Sequence, residues 1–385
     1  MKITKLMLSA CVAALALVSC NKEEGVSVKG DYKSLNIEIA NLFMTKAQGD
    51  MIPDGTTVTL EEFRIFLFAG DQLKNTATQA DGSAAAYTFT SAANEIQYHF
   101  VDPSVNKVVA IANLDLTADQ WAAIDTYSEV QALKLQIAAQ QNPDALALYA
   151  ESGLVQDQNA AQHDPANHQN LITNVFKATI NFAPRVSRFE LDGFAMGFNA
   201  ENPLYNKITI HQVALNNYYP VTALYNGVEE GTLTGCDPAN ATAAIAYLQN
   251  NERASWSFDK ESISFDRPAA SAEAVSYVTK NLAKPIYYHI FSSTTVPQLM
   301  LQVETTGVDG AVSSTYIYTK NFNGPQGAIT EFQEGKIYRM NFQGTTGSGD
   351  GDIPINEEDI DQLGKCLDIT VTVDDWNVIL VTPEF

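Results

Sequence analysis

Alternation of apolar and polar residues recurs along most of this chain, and it constrains the fold more than any single motif. In EEFRIFLFA, Phe63, Ile65 and Leu67 alternate with Arg64, Phe66 and Phe68, which is the two-residue period of a pleated strand. SLNIEIANLFMTKA sets Leu35, Ile37 and Ile39 against Asn36, Glu38 and Ala40. YTFTS, EIQYHFV, KVVAIANL, VFKATINFAPRVSRFEL, PIYYHIF, QLMLQVETT, STYIYTKNF and GKIYRMNFQ continue the pattern, with Gly, Asp, Asn, Ser and Pro clusters between them. KITIHQVAL keeps the period through Ile208 and Ile210, slips by one residue at His211, and resumes at Val213 and Leu215. QLMLQVETT and STYIYTKNF predict a hairpin with Asp309-Gly310 near its tip.

Helical signals are few and local. Thr117 followed by Gln120 makes a capping-box pattern, and Ser128 with Gln131 repeats it ahead of Val130, Leu133 and Ile137 at helical spacing. A third short helix is predicted around Asn240–Asn251, in NATAAIAYLQNN. Val155–Asn170 is nearly free of large apolar residues and reads as a connection between domains or a long loop. No repeat of 20–50 residues is visible. The expected fold is all-β with minor helices, arranged as two β-sandwich domains in tandem. With 385 residues, 45% hydrophobic and 18% charged, the chain can fill two cores.

The first twenty residues constrain the compartment. Lys2 and Lys5 precede a 13-residue apolar run, Leu6–Val18, too short for a permanent span and of the right form for a secretory leader. The run ends in LVSC, which resembles the lipobox of bacterial lipoproteins, and predicts acylation of Cys20 after removal of residues 1–19. Acyl chains would tether the precursor to a membrane without spanning it. Loss of Lys2 and Lys5 with the leader takes the net charge from −22 to −24, opposite in sign to a nucleic-acid-binding surface. With Cys20 acylated, Cys236 and Cys366 are the pair available for a disulfide in an oxidising compartment.

Motifs of catalysis and cofactor binding do not appear. There is no Gly-rich phosphate fingerprint, HExxH, GxSxG or CxxC, so neither enzyme activity nor a cofactor is expected. His163 and His168, near Asp157 and Asp164, are too poorly spaced for a metal site. DGDIPINEEDID, Asp350–Asp361, is acid-rich but lacks the calcium-loop glycine and has Pro354 at a ligand position. It reads as a solvated linker. Tyr218, Tyr219, Tyr287 and Tyr288 could stack on sugars, although their strand positions point to a core.

Several segments together resemble the major fimbrial subunit (fimbrillin) family, whose members build type V pili. They are the lipobox at Cys20, SLNIEIANLFMTKA, KVVAIANLDLTADQW, VFKATINFAPRVSRFEL and FQEGKIYRMNFQ, with CLDITVTVDDWNVILVTPEF closing the chain. The resemblance implies two transthyretin-like sandwiches, over 47–172 and 173–385, behind a propeptide of 20–46. It also implies a lipidated precursor at the outer membrane, cut by a trypsin-like protease that removes the first strand. The matching position here is Thr45-Lys46-Ala47, so the cut would fall between Lys46 and Ala47. Strands from about 366–385 of a neighbouring copy, or of a related fimbrial subunit, would fill the vacated groove. Ile369, Val371, Val373, Trp376, Val378 and Leu380 would be the donor residues.

General physics supports the same mechanism. VDDWNVILVTPEF is apolar on both faces, and a missing strand leaves bare core and unpaired backbone that a supplied strand restores. The Gly-rich run Gly344–Asp352 would give the donor arm its slack. Two other readings follow from the same residues: a surface-anchored glycan-binding lipoprotein, and a tip or anchor subunit. Possession of both a cut site and a donor strand favours a stalk subunit.

Overall fold

Residues 32–40, 42–44, 57–60, 62–79, 81–89, 95–157, 175–250, 252–269, 273–324, 327–342, 355–361, 365–375 and 377–380 are described by the structure, a computed structural model. Residues 1–19, Cys20, Lys46, Ala47, His163, His168 and Trp376 lie outside them. In the first half the strands are β1 (Lys33–Ile39), β2 (Leu42–Met44), β3 (Thr57–Leu60), β4 (Phe63–Ala69), β5 (Gln72–Leu73) and β6 (Thr88–Phe89). They continue with β7 (Glu95–Val101), β8 (Lys107–Ala112), β9 (Lys134–Gln136), β10 (Leu148–Gly153), β11 (Val155–Gln156), β12 (Val175–Ile180) and β13 (Ala183–Pro184). Helices α1 (Ala118–Ala122) and α2 (Tyr127–Gln131) interrupt them.

Two sheets form the first sandwich, ordered β11-β12-β1-β7 and β13-β10-β8-β4-β5, with β6 on β4. Their core includes Leu35, Ile37, Tyr98, Ile180, Phe63 and Ile65, all almost fully buried. Phe66 and Phe68 of β4 are buried as well, which alternation alone does not explain. The helices cover them: Phe66 stacks on Trp121 at 6.1 Å, and Phe68 meets Tyr127 edge-on at 5.5 Å. A strand roofed on both faces has no polar face to show.

The helix signals were partly legible. The Thr117–Gln120 capping box forms as expected. The second box is made by Thr126 and Glu129, not by Ser128 and Gln131. Ser128 is taken by Asp71, whose Oδ1 accepts from its backbone N–H (2.8 Å) and its hydroxyl (2.7 Å). The helix stops at Gln131, and Leu133–Ile137 passes through β9 instead, because β9 has a partner elsewhere in the chain.

That partner lies in the second half. There the strands are β14 (Ser187–Asn199), β15 (Tyr205–Asn216), β16 (Val221–Ala223), β17 (Glu229–Glu230), β18 (Phe258–Asp266), β19 (Val275–Ile290) and β20 (Gln298–Gly307). They end with β21 (Val312–Gly324), β22 (Gly327–Ile329), β23 (Lys336–Phe342), β24 (Ile355–Asn356), β25 (Lys365–Asp375) and β26 (Asn377–Leu380). Helix α3 (Ala241–Gln249) sits where the sequence placed it, capped by Asn240, and α4 (Glu357–Asp361) follows β24. One sheet runs β18-β15-β20-β21-β25-β23-β14-β19, with β22 on β21 and β24 on β14. Its core holds the edge-to-face rings of Phe189, Phe322 and Phe332, with centroids 5.2–5.3 Å apart. The β15 register shifts between Ile210 and Gln212, at the slip read from His211, and Gly310 takes φ +83° at the expected hairpin tip. All-β architecture with minor helices is therefore what the chain adopts.

The first two strands after residue 173 pair with strands of the first half. β12 pairs with β1 and β13 with β10, so both complete the first sandwich. The large sheet begins with β14. The halves are joined by β9, which pairs with β16 in a small sheet of order β17-β16-β9. Beside it, Gln141 brackets the backbone of His289, donating to its carbonyl (3.1 Å) and accepting from its N–H (3.2 Å). His289 Nδ1–H donates to the Gln140 carbonyl at 2.6 Å.

Burial holds the His289 imidazole neutral, with its pKa down at about 3; the Gln140 bond opposes this shift and Arg188 adds to it. A folded value below the unfolded one, about 6.5, means the unfolded chain takes up a proton first. The stability this group allows is complete above pH 6.5 and falls as pH drops, by roughly 1.4 kcal/mol per pH unit toward pH 3. A His289→Gln variant should lose that part of the acid sensitivity. Urea unfolding at pH 7 and pH 5 measures it, and equal pH slopes in the two proteins would contradict the assignment.

Candidate functional site

The first of the sequence-predicted features to settle is the strand upstream of Lys46. β1 forms because Leu35, Ile37 and Ile39 repeat at intervals of two, and these side chains are 0–4% exposed, while Asn36 is half-buried and Glu38 exposed. It is an internal strand. Leu35–Ile39 runs parallel to Phe176–Ile180 of β12 on one side, and Leu35–Glu38 pairs antiparallel with Glu95–Tyr98 of β7 on the other. Lys33 anchors its start: Nζ donates to the Val105 carbonyl at 2.8 Å and lies 4.8 Å from the Phe176 ring. Burial holds this ammonium below the usual lysine range, with Asp102 partly offsetting the shift. At its end, Ala40 N–H donates to the Ile180 carbonyl at 3.0 Å.

Taking β1 away would have two costs. Exposing three apolar side chains forfeits roughly 5–9 kcal/mol of burial. The facing rows of N–H and C=O groups on β7 and β12 would lose their partners and become open edges inside a core. The vacated slot would demand an extended segment with apolar residues at i, i+2 and i+4.

The predicted donor residues are split between two strands. Ile369, Val371 and Val373 lie in β25, which pairs parallel with β21 and antiparallel with β23 in the middle of the large sheet. Val378 and Leu380 lie in β26. That strand runs parallel between β2 and β3, in register Leu42↔Val378, Phe43↔Ile379, Met44↔Leu380 and Asn377↔Thr57 through Leu380↔Leu60. Val58 and Leu60 of β3 are buried.

In the acid-rich segment read as a solvated linker, the described residues 355–361 are docked rather than solvated. Ile355, Glu357 and Ile360 are each at most 1% exposed. The Glu357 carboxylate accepts from Arg267 Nη2 at 2.5 Å and from the backbone N–H groups of Asn199, Leu204 and Tyr205, the last two at 3.1 Å. β24 pairs with β14 at Met196 and Gly197. A Cβ at Gly197 would come within 2.4 Å of Asn356 Oδ1, so glycine is what lets this segment dock. Apolar Ile355 and Ile360 around the acids were the available signal. The Gly-rich run Gly344–Asp352 lies outside the described residues.

Cys236 is a free thiol whose Sγ lies 3.8 Å from Met300 Sδ. Met300 is registered with Tyr318 and Tyr318 with Cys366, so Cys366 stands two strands, about 9.6 Å, beyond Cys236's neighbour. Cys236 carries no bridge in this structure. Burial raises the Cys236 thiol pKa to about 11, with Asp237 adding to the shift. No group of His, Cys, Asp and Glu among the described residues is arranged for a metal.

Tyr218, Tyr287 and Tyr288, three of the four aromatics considered for sugar stacking, are engaged by protein. Tyr288 is buried and its hydroxyl donates to Asp259 Oδ2 at 2.8 Å. Tyr218 is buried against Trp256, and Arg188 lies 4.0 Å from the Tyr287 ring. A cleft of about 720 Å³ beside α1 includes Trp121, but Arg64 covers one face of that ring at 4.5 Å and Phe66 stacks on it too.

No protein-family model matches the chain, and a search of curated proteins finds no match. Among solved structures, a proposed cell adhesion protein from Parabacteroides distasonis ATCC 8503 aligns with a TM-score of 0.53 at 13% identity, covering 92% of this chain and 99% of that one. A proposed cell adhesion protein from Bacteroides eggerthii DSM 20697 gives 0.49 at 15% identity, over 93% and 100%. The tip fimbrial protein Mfa3 from Porphyromonas gingivalis, with a C-terminal truncation, gives 0.35 at 9%, over 80% and 93%. The first of these shares the fold of this chain along nearly its whole length.

Proposed function

We propose that this chain is a structural subunit of a cell-surface fimbria that polymerises head to tail by strand exchange and so supports adhesion. One observation carries the reading: β1 is hydrogen-bonded on both sides within the first sandwich, yet it lies upstream of Thr45-Lys46-Ala47 and is removable by a single cut. The Parabacteroides distasonis protein with the same fold, itself a proposed cell adhesion protein, points the same way.

In this reading Cys20 carries the lipid that brings the precursor to the outer membrane. A trypsin-like protease then cuts after Lys46, leaving Ala47 as the new N-terminus and the β1 slot open. The terminal segment of the next subunit enters it. Donor and acceptor surfaces differ, so the contact is heterologous and propagates into a filament. The pairing of β25 narrows the donor: Ile369, Val371 and Val373 serve as the stem that stays in its own sheet, and Trp376, Val378 and Leu380 belong to the part that is handed over. A tip subunit would lack the donor and an anchor would keep its lipid and first strand; this chain has the features of a stalk.

Limited trypsin treatment of the purified precursor should cut after Lys46 and start slow polymerisation, with Ala47 as the first residue of protein recovered from fibres. Mass spectrometry and electron microscopy read both results. A cut chain that stays monomeric at high concentration would sink the strand-exchange reading.

A further inference from the structure

We propose that the uncut precursor also restrains its own donor: β2 and β3 clamp β26 within the same chain, so one cut opens the acceptor slot and unclamps the donor together. This rests on the strand-exchange reading above. Its basis is where the two rails of β26 come from. β2 lies upstream of Lys46, on the same peptide as β1 and two residues beyond it, whereas β3 lies downstream and leads into β4. β26 is thus paired to two pieces of chain that the cut would separate.

The energetics favour release once β2 leaves with β1. Flanked on both sides, β26 has its alternate backbone groups satisfied by two ladders. With β2 gone it becomes one strand of a four-residue parallel ribbon with β3. Two-stranded ribbons are marginal on their own, and parallel pairing is the weaker kind. β25 is different, since both its neighbours belong to the large sheet and neither depends on β2. Removal of the N-terminal segment therefore frees the strand beyond Asp375 and leaves its stem in place. Before the cut, the chain can neither accept nor donate.

Hydrogen exchange of the uncut protein tests the clamp. A Phe43→Pro/Met44→Pro variant keeps β1. Successive residues of a strand turn their N–H and C=O groups to opposite sides, so one of two consecutive prolines must fall in the ladder. Amides of Asn377–Leu380 should be protected in the unmodified precursor and lose about tenfold or more of that protection in the variant, with the β1 and β25 amides unchanged. Equal exchange in the two proteins overturns the clamp.

A second measurement does not depend on the prolines folding well. Phe43→Cys/Ile379→Cys, placed at registered positions, should cross-link in the uncut chain under mild oxidation; absence of the cross-link in folded protein also overturns the proposal. The released variant should in addition bind an acceptor-only subunit, cut after Lys46 and truncated after Asp375. Release without that binding upholds the clamp and sinks strand exchange, so the two failures are separable.

Discussion

A subunit truncated after Asp375 is expected to fold, to be cut after Lys46, and to add to a fibre end without allowing further growth. The expectation follows from the proposed division of labour between the last two strands. β25 is integral to the large sheet through β21 and β23, and the truncation leaves it whole. What is lost is Trp376–Phe385, with Val378, Ile379, Leu380 and Val381 among it. Four apolar side chains withdrawn from an intersubunit core forfeit roughly 6 kcal/mol or more, about four orders of magnitude in contact strength. Titrating the truncated, cut subunit into full-length cut protein should shorten fibres in proportion, as seen by electron microscopy and light scattering. Fibres of normal length from the truncated subunit alone would show that the terminal strand only completes its own fold.

Glu357→Ala should be among the most damaging single substitutions in the second half. The carboxylate is fully buried and receives the Arg267 guanidinium together with the N–H groups of Asn199, Leu204 and Tyr205. Alanine would leave the half-buried Arg267 guanidinium with only the Tyr205 and Asn199 carbonyls, and would leave three backbone donors without the carboxylate that accepts from them. Breaking a buried pair from one side costs about 3–5 kcal/mol, and the orphaned N–H groups act in the same direction. Because α4 precedes β25, the damage would reach that strand. Chemical denaturation measures the stability loss, and Glu357→Gln, which keeps one acceptor oxygen, should lose less. A Glu357→Ala protein within 1 kcal/mol of the parent, about fivefold in the folding equilibrium, would show that the loop 199–205 does not rely on this carboxylate.

How far the architecture could be read in advance depended on the range of the interaction responsible. Leu35, Ile37 and Ile39 announce a half-buried strand because alternation is local, and the bulge at His211 is visible as a skipped beat in the same pattern. The Thr117 cap and the Asn240 cap are contained within four residues and were legible for that reason. The second capping box was misplaced because Asp71, 57 residues earlier in the chain, takes Ser128. Helical spacing at Val130, Leu133 and Ile137 yielded to β9, whose partner β16 is more than eighty residues away. The acid-rich run before β25 was misread because its one decisive partner, Arg267, lies 90 residues off.

By itself the sequence determined the all-β class, the order of most strands, and the apolar pattern of the strand that follows β25. Each of these is a property of composition or of a short periodic window. Only the tertiary structure decided that β12 and β13 close the first sandwich, that β25 lies between β21 and β23, and that β26 lies between β2 and β3. Those are choices of partner, and alternation says which face of a strand is buried without saying against what. Register and neighbour are settled when distant segments compete for the same open edge, and that competition exists only in the folded chain.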